Sequence, residues 1–203
     1  MDKENKTINY NFFHWGPFLY KTSLTEEELD SVKKLCNKKL KDYRNSLAGL
    51  IKHEHKLNVK KMFPIIFPYL QSYIRAYSED YCPSNQFLKN KIELVSSWVN
   101  YMTKFESNPI HTHDEDLSFV IYTQVPKGLK QEVKDTVSNN TQPGSINFIN
   151  VLGNNKYHIN QHTFMPEVGD FFIFPASLHH SVNHFQSEGE RISISGNLRI
   201  TNG

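Results

Sequence analysis

Two short histidine clusters are the residues of this chain best suited to chemistry. His111 and His113 stand two positions apart, and His179 and His180 are adjacent further along the chain. On a strand, side chains at i and i+2 project to the same side, so the first two imidazoles can reach one point. Imidazole is a good ligand for iron, zinc, copper or nickel, and a second element must then supply the missing ligand. The pattern predicts a metal site shared by the two clusters.

Arg191 is the second candidate, because it begins a strand-like run of alternating residues eleven positions after His180. A buried arginine is costly without a partner, and its planar guanidinium group matches a carboxylate with two hydrogen bonds. We therefore predict that Arg191 binds an anion. A dicarboxylate could bind the metal at one end and Arg191 at the other. The alternative partner is a carboxylate of the protein itself.

The elements that must position these residues are helical in the first part of the chain. Capping boxes at residues 23–26 and 25–28 precede apolar residues at helical spacing, which predicts an amphipathic helix to about residue 50. Pro68 can occupy the first turn of a second predicted helix, which ends near Ser78.

After residue 85 the sequence changes to short runs that alternate or that carry β-branched and aromatic residues. Such runs, with turn residues between them and no helical period, predict an antiparallel sandwich or barrel with the helices packed on one face. The predicted fold class is therefore α+β and mainly β. The predicted strands are residues 92–102, 117–125, 145–151, 156–164, 170–174 and 191–200.

Length and composition limit the remaining possibilities. A chain of 203 residues favours one domain (1–203), with residues 1–85 as a helical support and residues 86–203 as the β core. The 23 basic residues nearly balance the 21 acidic ones, which gives no overall electrostatic case for nucleic acid or a membrane as partner. Two isolated cysteines and the lack of a long apolar run are typical of a soluble cytoplasmic protein.

Taken together and in order, these residues resemble the non-haem Fe(II)- and 2-oxoglutarate-dependent dioxygenases of the double-stranded β-helix fold, a jelly-roll, cupin-like architecture. The resemblance is greatest to a bacterial and phage branch with a His-x-His element, and it covers residues 98–200. The residues that carry it are Trp98, Asn100, Asn108, His111, His113, Ser118, Tyr122, Phe174, Pro175, Leu178, His180, Val182, Arg191, Ser193 and Asn197.

The resemblance implies an oxygenase that uses Fe(II), 2-oxoglutarate and O₂, and it favours a hydroxylase. It implies that His111 and His180 bind the iron and that Arg191 binds the far carboxylate of 2-oxoglutarate. No catalytic residue beyond the iron ligands is implied. A protein or peptide side chain such as proline is the substrate that the analogy favours.

Three further residues are expected to contact 2-oxoglutarate. Ser193 follows Arg191 by two positions, so it shares the same face and could assist in binding the same carboxylate. Tyr101 and Tyr122 correspond to positions at which prolyl-hydroxylase-like relatives place tyrosine hydroxyls on 2-oxoglutarate. The alternative for both tyrosines is an ordinary core position with some other hydrogen-bond partner.

The third iron ligand departs from the usual family pattern, which has Asp or Glu two residues after the first histidine. This sequence has His113 at that position. His113 is the favoured third ligand, because i and i+2 lie on one face of a strand. The alternatives are Asp114 or Asp116 reaching in from the loop, or a register in which His113 and Glu115 form the ligand pair.

Two other functions compete with the oxygenase interpretation. Gly169, Pro175 and His180 also approximate a motif of cupin-type metal-binding proteins or enzymes that do not use 2-oxoglutarate. Arg191 argues against this reading, because a cupin needs no arginine at that position. A non-catalytic structural protein that keeps the fold is the second alternative. The primary substrate and the oligomeric state are not predicted.

Overall fold

The computed structural model describes residues 16–83, 91–137, 142–151 and 159–201, which form two antiparallel β-sheets with helices packed on one of them. The major sheet contains, in spatial order, β1 (Tyr20–Ser23), β8 (Asp170–Pro175), β5 (Leu117–Gln124), β10 (Arg191–Thr201), β3 (Lys91–Met102) and β2 (Glu54–Lys56). The minor sheet contains β4 (Asn108–His111), β9 (His179–Val182), β6 (Ile146–Ile149) and β7 (Gln161–Phe164).

Helix α1 (Glu26–Leu35) begins at the predicted capping box but is shorter than expected. The hydroxyl of Thr25 accepts a hydrogen bond from the backbone N–H of Glu28, whose carboxylate accepts the N–H of Thr25 in return. The helix ends well before residue 50, because Asn37 accepts the N–H of Lys39 with its side chain and forms a turn. The following residues instead form backbone hydrogen bonds with the segment that contains β2.

Helix α2 (Val59–Ala76) starts earlier than predicted, although Pro64 and Pro68 both lie inside it. Asn58 caps the helix by accepting the N–H groups of Lys60 and Lys61. Each internal proline removes a helical hydrogen bond, which would normally end or kink a helix. Burial of one face against the major sheet offsets that loss. The buried residues of this face are Met62, Ile66, Leu70 and Tyr73.

The predicted strands all correspond to observed strands, namely β3, β5, β6, β7, β8 and β10. Residues 156–158 of the fourth predicted strand lie outside the described residues. Four strands of three or four residues, β1, β2, β4 and β9, are too short to show alternation in the sequence. Helix α3 (Leu129–Asp135) was also not predicted, because it occupies only two turns in a connection.

The part of the chain before residue 85, predicted as a helical support, also contributes strands. Strands β1 and β2 come from the first part of the chain and form the two edges of the major sheet. The single-domain organisation over 1–203 stays a prediction. No helix in the described part of the chain has both the length and the apolar composition that a membrane span requires.

Alternation along the central strands divides the core into two halves. On β5, Phe119 and Ile121 belong to the half that contains the helices, whereas Val120 and Tyr122 belong to the half between the two sheets. Strand β8 repeats this pattern. Every other residue of these strands therefore faces the space between the sheets, where a site can be kept away from water.

The close approach of β10 to β5 requires a glycine at position 196. A Cβ atom there would lie 2.5 Å from Phe119 Cε1 and 2.6 Å from the carbonyl oxygen of Ser96. We expect Gly196→Ala to lower the free energy of unfolding by about 1–3 kcal/mol, because the neighbouring atoms are ring and backbone atoms that move only with the sheet.

Urea denaturation measures this change. Gly128→Ala is the matched control, since its new Cβ would meet only the flexible Ser187 side chain, at 3.3 Å. It should change the free energy of unfolding by less than about 1 kcal/mol. Equal effects of the two substitutions would contradict the packing argument.

Candidate functional site

Three histidines converge where β4 meets β9. The antiparallel register places His111 directly opposite His180, and the centroids of the two rings are 4.2 Å apart. His113 follows in the loop after β4, with ring centroids 5.0 Å from His111 and 5.1 Å from His180. Each histidine offers one nitrogen, and these three atoms lie within 4.8 Å of one another. The arrangement suits a metal ion bound by nitrogen.

Backbone carbonyl groups orient two of the rings in the same way. Nδ1 of His111 is 2.7 Å from the carbonyl oxygen of Pro109, and Nδ1 of His180 is 2.8 Å from that of Leu178. A ring nitrogen next to a carbonyl oxygen must carry the proton and donate, which leaves Nε2 with its lone pair free. Both rings therefore present Nε2 as the possible ligand atom.

The loop residue His113 is fixed by its backbone rather than by its ring nitrogens. Its N–H donates to the carbonyl oxygen of Ala176 at 2.9 Å. The imidazole of His113 packs beside the ring of Trp98, and the two ring centroids are 5.8 Å apart. The predicted pair His111 and His113 does lie together, but His113 is just beyond the end of the strand, so the loop rather than the i, i+2 strand geometry places it.

Burial keeps the three imidazoles neutral. Desolvation, with a smaller contribution from His111, lowers the pKa of His180 to about 3. The same two causes lower the pKa of His113 to about 4, and desolvation also lowers the pKa of His111. All three side chains therefore carry free lone pairs at neutral pH, which is the form that binds a metal.

The carboxylates considered as alternative third ligands point elsewhere. Asp116 accepts the backbone N–H of Ile200 at 2.7 Å, and Glu115 forms two hydrogen bonds with Arg199 at 2.9 and 3.0 Å. Asp114 is exposed and does not belong to the group of converging ligand atoms. Among the described residues, that group contains three imidazoles and no carboxylate.

A cavity between the two sheets connects this histidine cluster to Arg191. Arg191 is 2 % exposed, and its Nη1 donates to the carbonyl oxygen of Gly144 at 2.8 Å. Its Nε atom has no hydrogen-bond partner, and no carboxylate in the described ranges forms an ion pair with it. Burial lowers the pKa of Arg191. A desolvated cation without a counter-charge is a strong signal for an anionic ligand.

Tyr122 lies beside Arg191 and has an unused hydroxyl group. The Arg191 Cζ atom is 5.4 Å from the centroid of its ring, and the phenol oxygen is buried with no hydrogen-bond partner among the described residues. Desolvation raises the pKa of Tyr122 to about 12, so the hydroxyl keeps its proton and can donate. The two predicted contacts Arg191 and Tyr122 thus lie on the same cavity.

Strand β3 supplies Asn100 to this cavity, whereas Tyr101 faces the opposite side of the major sheet. Nδ2 of Asn100 donates to the hydroxyl of Ser193 at 3.3 Å, and both residues line the cavity. Tyr101 packs in the core half that contains the helices, 6.0 Å from the ring of His55. The expectation that Tyr101 contacts 2-oxoglutarate is therefore corrected by strand alternation. The sequence motif contained Asn100, but nothing in it indicated a role.

An open groove on the surface reaches the same histidines from the other side. His111 and His113 line both this groove and the cavity that holds Arg191. A metal bound by them would therefore face both the cavity between the sheets and the surface groove. The other residues of this surface groove are Tyr43, Asn45, Ser46, Leu47, Ala48, Lys56, Val95, Ser96, Thr112, Asp114, Glu115 and Asn197.

Comparison with known proteins decides the family. Residues 96–197, half of the chain, match the family described as "Putative 2OG-Fe(II) oxygenase". The chain belongs to the 2OG-Fe(II) oxygenase family. No curated protein sequence matches this oxygenase. The family confirms Fe(II) and 2-oxoglutarate as the predicted cofactors, and the buried arginine and three imidazoles fit both of them.

Solved structures agree on the fold of the oxygenase. A Pseudomonas putida prolyl-4-hydroxylase superposes with a TM-score of 0.53 at 14% identity, over 89% of this chain and 91% of that one. A viral collagen prolyl hydroxylase from Paramecium Bursaria Chlorella virus-1, in complex with 2-oxoglutarate, gives 0.53 at 13%, over 90% and 96%. A Trichoplax adhaerens prolyl hydroxylase with a hypoxia inducible factor peptide fragment gives 0.54 at 10%, over 91% and 83%. The predicted double-stranded β-helix is confirmed.

Removing one imidazole should disable metal binding by the oxygenase. We expect His180→Ala to weaken Mn²⁺ binding by more than the roughly 10–100-fold that is typical when only an outer hydrogen-bond partner is lost. Isothermal titration with Mn²⁺ measures the affinity. His179→Ala is the matched control. His179 is the neighbour of His180 in the sequence, but its imidazole does not belong to the group of converging ligand atoms. The assignment fails if both variants bind Mn²⁺ as the wild type does.

Proposed function

We propose that this oxygenase is a hydroxylase of a protein or peptide side chain, with proline as the leading candidate. The observation that carries the proposal is the unpaired buried Arg191 in the same cavity as three neutral histidines. A metal-binding cluster and an anion-binding group at two positions of one cavity fit a cosubstrate that has a carboxylate at each end.

His111, His113 and His180 would bind the iron through imidazole nitrogens. Fe(II), together with 2-oxoglutarate and O₂, supplies the oxidation: the cosubstrate becomes succinate and CO₂, and one oxygen atom enters the substrate C–H bond. The protein residues supply geometry. The carbonyl groups of Pro109 and Leu178 fix two of the rings, so the ligand atoms need little rearrangement when the metal binds.

Arg191 and Tyr122 would bind the far carboxylate of 2-oxoglutarate. The guanidinium group contributes charge and an unused Nε–H donor, and Tyr122 contributes a hydroxyl that is otherwise unpaired. Ser193 lies on the same cavity and is expected to contact the same end of the cosubstrate. Phe174 and Val182 also line the cavity and limit the access of water.

The surface groove supports a substrate that stays largely outside the fold. Two of the proposed iron ligands line both the groove and the cavity, so a side chain could reach the iron from the groove while 2-oxoglutarate occupies the cavity. The prolyl hydroxylases among the similar structures, one of them in complex with a peptide fragment, support a peptide as the substrate class to test first.

Cosubstrate turnover is the direct test of the proposed function. Purified protein with Fe(II), O₂ and 2-oxoglutarate should release succinate, and a peptide array that includes proline-containing sequences should contain members that raise this release. Mass spectrometry of a stimulating peptide should show the gain of one oxygen atom. Binding of a metal without 2-oxoglutarate turnover would favour the cupin-type alternative, and binding of neither would favour a structural protein.

The charge of Arg191 should matter for the cosubstrate and not for the metal. We expect Arg191→Gln to weaken 2-oxoglutarate binding to Mn²⁺-loaded protein by about ten- to a hundredfold, which corresponds to roughly 1.5–3 kcal/mol for a charge-assisted interaction. The affinity for Mn²⁺ should stay nearly constant. Calorimetry on the same samples gives both affinities. If the affinity for 2-oxoglutarate is the same in Arg191→Gln and in the wild type, Arg191 does not bind the far carboxylate.

Tyr122→Phe should separate binding from stability. The variant removes a buried hydroxyl for which the described residues offer no partner, so the free energy of unfolding should stay the same or rise. The affinity for 2-oxoglutarate should fall by about two- to tenfold, as expected for one lost hydrogen bond. Thermal unfolding and calorimetry test the pair of effects, and a loss of stability with unchanged affinity would assign Tyr122 to the core alone.

A further inference from the structure

A buried carboxyl group lies next to the cosubstrate cavity and takes no part in the site described above. Glu54 is 1 % exposed and is located in β2, at an edge of the major sheet. Its Oε2 atom has no hydrogen-bond partner in the described ranges. An ionised carboxylate at such a position would lose its hydration without replacement. A neutral carboxylic acid, in contrast, has a hydroxyl group to donate.

The acceptor that faces Glu54 is Asn100. The register of β2 and β3 pairs the two residues, so their side chains project to the same face of the sheet at cross-strand distance. Oδ1 of Asn100 is also buried without a partner, while its Nδ2 donates to Ser193. These two oxygen atoms belong to paired residues and both lack a donor among the described residues, so both would be satisfied if the carboxyl group carried a proton and donated it to the amide oxygen.

We propose that Glu54 is a positioning residue: its protonated carboxyl group donates to Asn100 Oδ1 and thereby holds the Asn100 amide toward Ser193 at the wall of the 2-oxoglutarate cavity. The inference rests on the proposed function, because Ser193 and Arg191 are assigned there to the same cosubstrate. Glu54 contacts no cosubstrate atom in this account and acts only through Asn100.

The surroundings of Glu54 favour its neutral form. Burial and, next, the charge of Glu106 in the β3–β4 connection raise the pKa of Glu54 to about 7. Glu106 is held in place by the backbone N–H groups of Lys52 and Thr103, at 3.0 and 2.7 Å. In the segment before β2, Asp42 acts in the same direction as Glu106. Arg44 acts against both but is itself paired with Asp42.

The backbone of Gly49 covers one side of the Glu54 carboxyl group. A Cβ atom at this position would lie only 2.6 Å from Oε1 of Glu54, so the backbone at Gly49 packs directly on the carboxyl group. This contact excludes water from one side of Glu54, and the paired residue Asn100 occupies another. Neither neighbour can neutralise a carboxylate charge.

The affinity for 2-oxoglutarate should therefore depend on pH. Below about pH 7 Glu54 keeps its proton and donates to Asn100, and above it the donor is lost. Titration of Mn²⁺-loaded wild type with 2-oxoglutarate from about pH 6 to about pH 8.5 should show a dissociation constant that rises roughly two- to tenfold. A dissociation constant that is constant over this range would overturn the proposal.

Three variants separate the positioning role from a merely structural one. Glu54→Gln donates through its amide at every pH, so it should bind 2-oxoglutarate as the wild type does at low pH and show no rise. Glu54→Ala should bind weakly throughout. In an Asn100→Ala background, Glu54→Ala should have no further effect, because the two residues act as one unit. Glu93→Gln, at an exposed position of β3, is the control and should keep the wild-type pH profile.

The pH dependence of stability provides a readout without metal or cosubstrate. Between about pH 4.5 and about pH 7 the folded protein keeps a proton on Glu54 that the unfolded chain releases, so this group makes stability fall as the pH rises. Urea unfolding of Glu54→Gln should lack that component.

The outcomes distinguish this inference from the proposed function. A wild type that binds no 2-oxoglutarate would contradict both. A wild type that binds 2-oxoglutarate with an affinity indifferent to Glu54→Ala would contradict the positioning role alone, even if the variant is less stable. Loss of affinity in Glu54→Ala with recovery in Glu54→Gln supports the role.

Discussion

Between the two sheets of this oxygenase lies a positive charge that no carboxylate in the described part of the chain balances. Arg191 can keep its charge there only because a backbone carbonyl group and the face of Tyr122 partly replace water. The free energy that this arrangement costs is recovered when an anion binds. Arg191 lies on β10, between β3 and β5, and side chains of both neighbouring strands line the cavity around it. The fold therefore keeps the guanidinium group buried and next to the space that an anion can occupy.

The three neutral histidines would add to the positive charge of the cavity when a metal ion is bound. An iron ion bound by three neutral imidazoles keeps its full double charge, whereas a carboxylate ligand would neutralise part of it. Together with Arg191, the loaded cavity would carry more positive charge than one with a carboxylate ligand. A dianionic cosubstrate compensates that charge at both ends. The proposed role of His113 in place of the usual acidic ligand and the lack of a counter-charge for Arg191 among the described residues thus favour the same kind of ligand.

The features that the sequence predicted are those that depend on local periodicity. Alternation identified β10, and a run of β-branched and aromatic residues identified β5. The close spacing of His111 and His113 indicated the cluster, although His113 lies beyond the end of the strand. Helix α2 was misplaced, since two prolines hid a helix that tertiary burial stabilises. Tyr101 was expected to face the cavity, but its neighbour Asn100 faces the cavity and Tyr101 faces the helices. Successive residues of a strand point to opposite faces, so an error of one position places a side chain on the wrong side of the sheet.

Other features depend on contacts between distant segments and have no local signal. Glu54 lies in a strand of three residues, and its role depends on the register with Asn100 and on the backbone at Gly49. The unpaired state of Arg191 likewise becomes visible only when its whole surroundings are known. The strand-like pattern around Arg191 indicated an anion-binding arginine, and the absence of a partner carboxylate among the described residues is the structural observation that supports this role.

The central claim is that three imidazoles and Arg191 bind the metal and 2-oxoglutarate in one cavity. A crystal structure of the anaerobic complex with Mn²⁺ and 2-oxoglutarate tests it most directly. The account predicts a metal bound by His111, His113 and His180 without a protein carboxylate, and a far carboxylate that contacts Arg191 and Tyr122. A metal bound by Asp114 or Asp116 in place of His113, or 2-oxoglutarate away from Arg191, would contradict it.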